Sequence, residues 1–160
     1  MLGVDPGSLR TGYGVVATDG QRHRLVEAGT LVPGARGSLP EKLRHIHDGV
    51  AALIERLRPD ALAVEDVFHA ANTRTALVLG HVRGVVLLAG AARGVPVHEY
   101  PPATVKQQIT GFGRAEKGQV AFMVTRMLEL AADAAPGDAT DALAVALCYA
   151  CLSASVGVPR

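Results

Sequence analysis

The chain has 160 residues, about half of them apolar, with no tryptophan and a net charge of +1. This length suits one domain with a substantial core, so we expect residues 1–160 to form a single α/β domain. The near-neutral charge excludes a uniformly basic polyanion binder. We see no basic leader followed by an apolar segment, and no apolar run near the roughly 20 residues of a membrane span, which predicts a cytoplasmic protein without a membrane partner.

Charge is distributed unevenly along the chain. Between residues 69 and 126, seven basic residues against two acidic ones give +5, whereas the remainder carries −4. This split is typical of a protein that grips phosphates with one region and holds cations with another. Ordinary solvated helix faces give the same pattern.

The opening stretch MLGVDPGSLRTGYGVV predicts a β-hairpin. Residues 1–4 and 11–16 favour strands, and Pro6-Gly7 marks the turn between them. Asp5 therefore ends the first strand, where a carboxylate is costly unless it meets water, a donor or a metal ion. Capping of its own turn is the simpler interpretation, but three later carboxylates that can converge on Asp5 favour a metal site.

The next segments predict a meander and a helix. The turn Asp19-Gly20 leads to a third strand over residues 25–32, so the first three strands are expected to be antiparallel. A helix then runs from the N-cap Ser38 to about residue 58, because its apolar residues recur at spacings of three and four.

A second carboxylate follows a buried strand. Residues 61–64 are apolar, and Glu65 ends that strand as Asp5 ends the first. Adjacent strand residues point to opposite faces, so Glu65 rather than Asp66 is expected to join Asp5. Phe68 lies just beyond, where an exposed aromatic ring could stack on a base, although a role in covering the core is equally open.

A long helix and a short parallel strand come next. Asn72 caps a helix to about residue 92, in which Gly80 and Gly84 permit close contact and favour tight packing or a dimer face. The fifth strand is predicted over residues 95–100, and a short helix after it carries Lys106.

The segment GFGRAEKG places Arg114 and Lys117 in a mobile, cationic loop that could meet a phosphate. It lacks the pattern of a nucleotide-binding P-loop. A helix over residues 115–130 is expected to follow. Cys148 and Cys151, although spaced as C-x-x-C, lie in a later apolar helix where core packing is the favoured interpretation.

Asp138 and Asp141 fall in the first turn of that last helix, three residues apart and therefore on one face. Acids near a helix N-terminus are often simple caps. Two of them in one turn repel each other, however, and a shared cation removes that repulsion. The four acids Asp5, Glu65, Asp138 and Asp141 supply only oxygen ligands, which select Mg²⁺ or Mn²⁺.

Two such ions per site, about 4 Å apart, activate water and stabilise the leaving oxygen in phosphodiester hydrolysis. The residues alone thus predict a metal-dependent nuclease that cleaves nucleic acid.

Several long segments, in the same order, resemble the RuvC family of bacterial Holliday-junction resolvases within the RNase H-like superfamily. They are GVDPGSLRTGYGVV, AVEDVFHAANTRTALVLGHVRGV, VHEYPPATVKQQITGFGRAEKGQV and DATDALAVAL. The resemblance implies an RNase H-like fold: a mixed five-stranded sheet, with three antiparallel strands followed by parallel ones, flanked by helices. It implies a homodimer that cuts two opposed strands of four-way junction DNA during recombination and repair, working with the RuvA–RuvB branch-migration complex.

By the same resemblance, the four acids bind the catalytic metal ions and Lys117 completes the catalytic set. Lys106 and Lys117 match lysines near the scissile phosphate, and Phe68 matches an aromatic that disturbs base stacking. We add Arg74 and Arg114 as candidate DNA contacts. The helix with Gly80 and Gly84 falls where the family dimerises.

Three other functions share some of these sequence features. A related RNase H-like nuclease acting on RNA or an RNA–DNA hybrid shares the first-strand Asp but lacks the VFHAAN and GRAEKGQV segments. A sugar- or acetate-kinase-like ATPase needs two lobes, for which the chain is too short. A junction-binding module without catalysis would lack at least one acid, and all four are present.

Overall fold

The structure, a computed structural model, describes residues 1–66, 72–131 and 137–156. The elements in chain order are β1 (Leu2–Asp5), β2 (Thr11–Thr18), β3 (His23–Leu31), α1 (Leu39–Leu57), β4 (Leu62–Glu65), α2 (Thr73–Ala91), β5 (Val97–Tyr100), α3 (Pro102–Thr110), α4 (Lys117–Met127) and α5 (Gly137–Val156). Phe68 lies outside the described residues.

The five strands form one mixed sheet in the order β3-β2-β1-β4-β5. β2 is antiparallel to both β1 and β3, whereas β4 is parallel to β1 and to β5. The predicted α/β architecture, three antiparallel strands followed by parallel ones, is therefore confirmed. Because β1 lies in the centre and β4 beside it, their carboxyl ends meet at the same edge.

Strand pleating divides the side chains between two helical layers. Leu2 and Val4 of β1, with Leu62 and Val64 of β4, belong to a core cluster with residues of α1 and α2. The alternate residue Ala63 belongs to the opposite cluster, formed with residues of α3, α4 and α5. Since the strand period is two, Asp5 and Glu65 at the strand ends point to the α5 side.

Glycines on that face allow α5 to lie directly on the sheet. A Cβ on Gly3 would stand 2.2 Å from the carbonyl oxygen of Ala142, and one on Gly12 only 1.9 Å from that of Asp138. Gly12 is the cross-strand partner of Asp5. The first turn of α5 is consequently seated beside the end of β1, a placement that any larger residue at Gly12 would prevent.

Two predicted helix caps are confirmed. Ser38 and Glu41 form a capping box at the start of α1, and the Asn72 side chain accepts a hydrogen bond of 2.9 Å from the Thr75 N–H in α2. Each satisfies backbone N–H groups that would otherwise lack a partner.

Four predicted boundaries, in three elements, were wrong by two or three residues. β3 begins at His23, before the expected residue 25, and β5 begins at Val97 because the Val95 N–H bonds back to the Gly90 carbonyl. α4 is shorter than residues 115–130 at both ends. Glu116 serves as its N-cap, and Glu129 takes a left-handed backbone just beyond it.

Helix α2 has an unusual surface. By length and composition it is apolar enough to cross a membrane, although the sequence analysis predicted no membrane span. Val82, Val86 and Ala89 face the core, while Leu77 and Leu88 are 61% and 57% exposed. A soluble helix normally turns a polar face to water, so this apolar face is unpartnered within the described chain.

The interpretation of the cysteines as core residues is confirmed for Cys148, which is fully buried. Cys151 is partly buried one turn later.

Candidate active site

Two carboxylates meet at the edge where β1 and β4 end. Val4 pairs with Val64 in the parallel register, so Asp5 and Glu65 are the next residues on neighbouring strands. Their side chains share a hydrogen bond. Burial, followed by the charge of Asp141, raises the pKa of Asp5 to about 6. Burial and the charge of Asp5 raise the pKa of Glu65 to about 7, so the pair holds a proton more tightly than two isolated carboxylates would.

Asp66 is directed away from this pair. Its carboxylate lies 3.4 Å from Arg83, which also pairs with Glu99 at the end of β5. Because successive strand residues point to opposite faces of the sheet, Glu65 and Asp66 are separated as predicted from the sequence.

Asp138 and Asp141 bring two further carboxylates to the same edge from the first turn of α5. The close approach of α5 to Gly12 sets their height above the sheet. Both charges raise the pKa of Asp5, which shows that all of these groups share one electrostatic environment. Four acids from three separate elements thus converge on one place.

Each acid of α5 is paired with a basic side chain. Arg10, in the loop between β1 and β2, places its Nε 2.5 Å from Oδ2 of Asp138. Lys117, the first residue of α4, places its Nζ 2.5 Å from Oδ2 of Asp141. That hydrogen bond raises the pKa of Lys117 above its usual value, so Lys117 remains charged at neutral pH.

The predicted DNA-contact residues take different positions. Lys106 on α3 lies near enough to Glu65 for its charge to lower the pKa of that acid, and Lys117 does the same to Asp5. Arg114 is exposed in the loop before α4, and Arg74 is exposed in the first turn of α2. The structure brings the two lysines to the acids and leaves both arginines on the surface.

Two other basic residues of the positively charged segment 69–126 already form ion pairs with acids. Arg83 pairs with Asp66 and Glu99, and Arg93 pairs with Glu55 at 2.8 Å. The positive charge available to a phosphate is therefore smaller than the sequence total.

The chemistry of the donors fits a hard divalent cation, since four carboxylates sit at one edge of the sheet and supply only oxygen ligands. As they are oriented, no group of three or more His, Cys, Asp or Glu among the described residues is arranged to hold a metal ion. The reason is visible in the ion pairs, because Asp138 and Asp141 turn towards Arg10 and Lys117.

Arg10 was not among the site residues predicted from the sequence. Its position in a loop of the opening hairpin gave no sign that it would reach a helix that begins 127 residues later. The signal that could have found it is the short length of the turn, because residues 6–10 must stay close to the end of β1 and therefore to Asp5.

Comparison with known proteins gives consistent findings. A sequence model of the family described as "Crossover junction endodeoxyribonuclease RuvC" matches residues 1–149. The chain is 49% identical to the crossover junction endodeoxyribonuclease RuvC of Chloroflexus aggregans, over 93% of this chain and 91% of the relative.

Solved structures agree. Thermus thermophilus RuvC superposes with a TM-score of 0.88 at 37% identity, over 98% of this chain and 97% of that one. The T. thermophilus RuvC in complex with Holliday junction substrate gives a TM-score of 0.90 at 37% identity, over 97% and 94%. These similarities confirm the RNase H-like fold expected from the sequence. The chain belongs to the RuvC family of crossover junction endodeoxyribonucleases.

Proposed function

We propose that this protein is a structure-selective endonuclease that resolves Holliday junctions by hydrolysing two opposed DNA strands symmetrically during recombination and repair. The observation that carries the proposal is the convergence of Asp5, Glu65, Asp138 and Asp141 at one sheet edge, in a chain of the RuvC family. Its relative from T. thermophilus is described in complex with Holliday junction substrate.

The four acids are proposed as ligands of two Mg²⁺ or Mn²⁺ ions. Such ions would activate a water molecule and stabilise the leaving oxygen of the phosphodiester. The contribution of the protein is to hold the carboxylates on rigid elements, with Asp5 and Glu65 on adjacent strands and the two others on one helix turn. A fixed geometry of this kind reduces the reorganisation required at the moment of reaction.

Lys117 and Lys106 are proposed to act on the scissile phosphate. Lys117 has its ammonium group 2.5 Å from Asp141, and its side chain is 71% exposed. It can therefore exchange the carboxylate for a phosphate oxygen without losing buried contacts. There it would stabilise negative charge that develops during hydrolysis, while Lys106 would hold the DNA strand close to Glu65.

The remaining DNA contacts extend outward from the site. Arg114, exposed in the loop between α3 and α4, and Arg74, exposed at the start of α2, suit sequence-independent phosphate contacts. Phe68 is proposed to disturb base stacking at the junction, on the resemblance alone, because it lies outside the described residues.

A homodimer completes the proposal. Exposed leucines along α2 give it an apolar face that a second copy would cover, and Gly80 and Gly84 present no side chain that would keep two such helices apart. A two-fold dimer presents two sites to a two-fold substrate, which suits paired incisions. The proposal also includes action with the RuvA–RuvB branch-migration complex in the cytoplasm, where bacterial DNA is found.

The test is cleavage of a synthetic mobile four-way junction in Mg²⁺ or Mn²⁺, beside duplex DNA and an RNA–DNA hybrid. Asp5→Asn protein is assayed in parallel. Asp60→Asn serves as the matched control, since Asp60 is exposed just before β4, at the opposite end from Glu65. We expect paired, symmetric nicks on the junction alone, lost in Asp5→Asn while binding persists.

Two other results would change the assignment. Cleavage confined to the hybrid would make the protein a ribonuclease of the same superfamily. Junction binding without metal-dependent cleavage would contradict the proposed role of the four acids.

A further inference from the structure

Beyond this function, and resting on its metal site, we propose that Arg10 occupies the cation position at Asp138 in the metal-free protein and competes with the divalent ion that Asp138 binds. Arg10 is thereby a positioning residue that sets the cation concentration at which the site fills.

The loop that carries Arg10 is held in place by its own hydrogen bonds. The hydroxyl of Thr11, which is fully buried, donates to the Gly7 carbonyl at 2.8 Å and accepts from the Gly7 N–H at 3.3 Å. A Cβ on Gly7 would stand 2.1 Å from the Arg10 carbonyl oxygen, so the turn is compact. Arg10 therefore leaves the sheet at a fixed point, directly before β2.

The partner acid is equally well placed. Gly12, two residues after Arg10, supports the backbone of Asp138 from below, at a distance that excludes any side chain. The backbones around Gly12 and Asp138 are therefore in contact, independently of the ion pair between the Arg10 and Asp138 side chains. The ion pair of 2.5 Å between Nε of Arg10 and Oδ2 of Asp138 is consequently a product of the fold, not of a chance encounter between two long surface side chains.

This pair obstructs the metal site while remaining easy to open. It directs an Asp138 oxygen towards Arg10, and the described acids are not grouped to hold an ion. The side chains of Arg10 and Asp138 are, however, 54% and 36% exposed. An ion pair with this exposure is weak, so a divalent cation can displace the guanidinium into solvent at little cost.

Removal of Arg10 should strengthen divalent-cation binding in two ways. The competing partner of Asp138 is lost, and so is a positive charge that repels the incoming cation. Since exposed ion pairs are worth up to about 1 kcal/mol, we expect Arg10→Gln to bind Mn²⁺ about two- to fivefold more tightly in the absence of DNA. Arg10→Lys keeps the charge and should bind Mn²⁺ nearly as wild type does.

The experiment measures Mn²⁺ affinity by electron paramagnetic resonance in DNA-free wild type, Arg10→Gln and Arg10→Lys. Arg22→Gln is the matched control, because Arg22 is an exposed arginine in the turn at the other end of β2. A second measurement follows the Nε–H resonance of Arg10 by NMR during titration with diamagnetic Mg²⁺, the signal being assigned by its loss in Arg10→Lys.

We expect tighter Mn²⁺ binding in Arg10→Gln alone, and movement of the Arg10 resonance to the position of a free guanidinium as Mg²⁺ binds. Unchanged Mn²⁺ affinity in Arg10→Gln, or an Arg10 Nε–H resonance that does not shift when Mg²⁺ binds, would overturn the inference. The proposed nuclease function would be unaffected by either result. Failure of the wild type to bind either ion would instead overturn the proposed metal site, and this inference with it.

Discussion

Replacing Asp5 by Asn should make the metal-free protein more stable at neutral pH. The pKa of Asp5 rises from 3.8 to about 6, and that of Glu65 from 4.5 to about 7, chiefly because both are buried. Between about pH 4 and 7 the folded protein therefore binds more protons than the unfolded chain. By linkage, the free energy of unfolding of the wild type falls as the pH rises through this window.

The magnitude follows from the size of the shift. A change from 3.8 to about 6 corresponds to roughly 3 kcal/mol for Asp5 above pH 7. Asp5 and Glu65 share one proton and are only partly buried, so we expect a gain of about 2 kcal/mol at pH 8. In a chain of this size that raises Tm by about 4–8 °C. At pH 4, where the wild-type pair is protonated, the gain should nearly disappear.

The assay is urea and thermal denaturation in EDTA at pH 4–8, for wild type, Asp5→Asn and the control Asp60→Asn. Added Mg²⁺ should then stabilise the wild type by about 3 kcal/mol at a hundredfold excess over its dissociation constant, and the Asn variant much less. A wild type whose stability rises from pH 5 to 8, or an Asn variant less stable than wild type at pH 8, would refute the reasoning.

Three further outcomes are expected. Lys117→Gln should lower kcat for junction cleavage by about 10²-fold with binding retained, because the positive charge that Lys117 moves from Asp141 to the scissile phosphate is lost. Single-turnover rates measure the loss of cleavage, and gel shifts measure binding. Leu88→Glu on the exposed face of α2 should convert a dimer into monomers in analytical ultracentrifugation; an unchanged dimer would place the interface elsewhere. Gly12→Val should destabilise the protein by about 3 kcal/mol or more in urea, since its side chain would displace Asp138.

The part of the site that the sequence revealed is the part governed by local rules. Apolar strands that end in an acid located Asp5 and Glu65, and the period of two along a strand separated Glu65 from Asp66. The helical spacing of three placed Asp138 and Asp141 on one face. Each of these inferences needs only a few neighbouring residues, and the order of the sheet then brings the carboxyl ends of β1 and β4 together.

What the sequence could not reveal depends on contacts between distant segments. The seating of α5 on Gly3 and Gly12 requires knowledge of which face each glycine takes and which helix covers it. The use of Arg83 and Arg93 in ion pairs likewise depends on packing, so counting charges overestimated the free positive charge. The apolar content of α2 was visible, but not that its leucines would point to solvent.

The ion pairs also explain how a small domain can fold around four acids. Unpaired, these carboxylates would repel one another strongly at a partly buried edge. In the metal-free fold the shared proton compensates Asp5 and Glu65, Arg10 compensates Asp138, and Lys117 compensates Asp141. Each compensating group is weakly held or exposed, so divalent cations and a phosphate can replace all of them. We therefore expect the four acids to be stable in the metal-free fold and still able to exchange these partners for divalent cations.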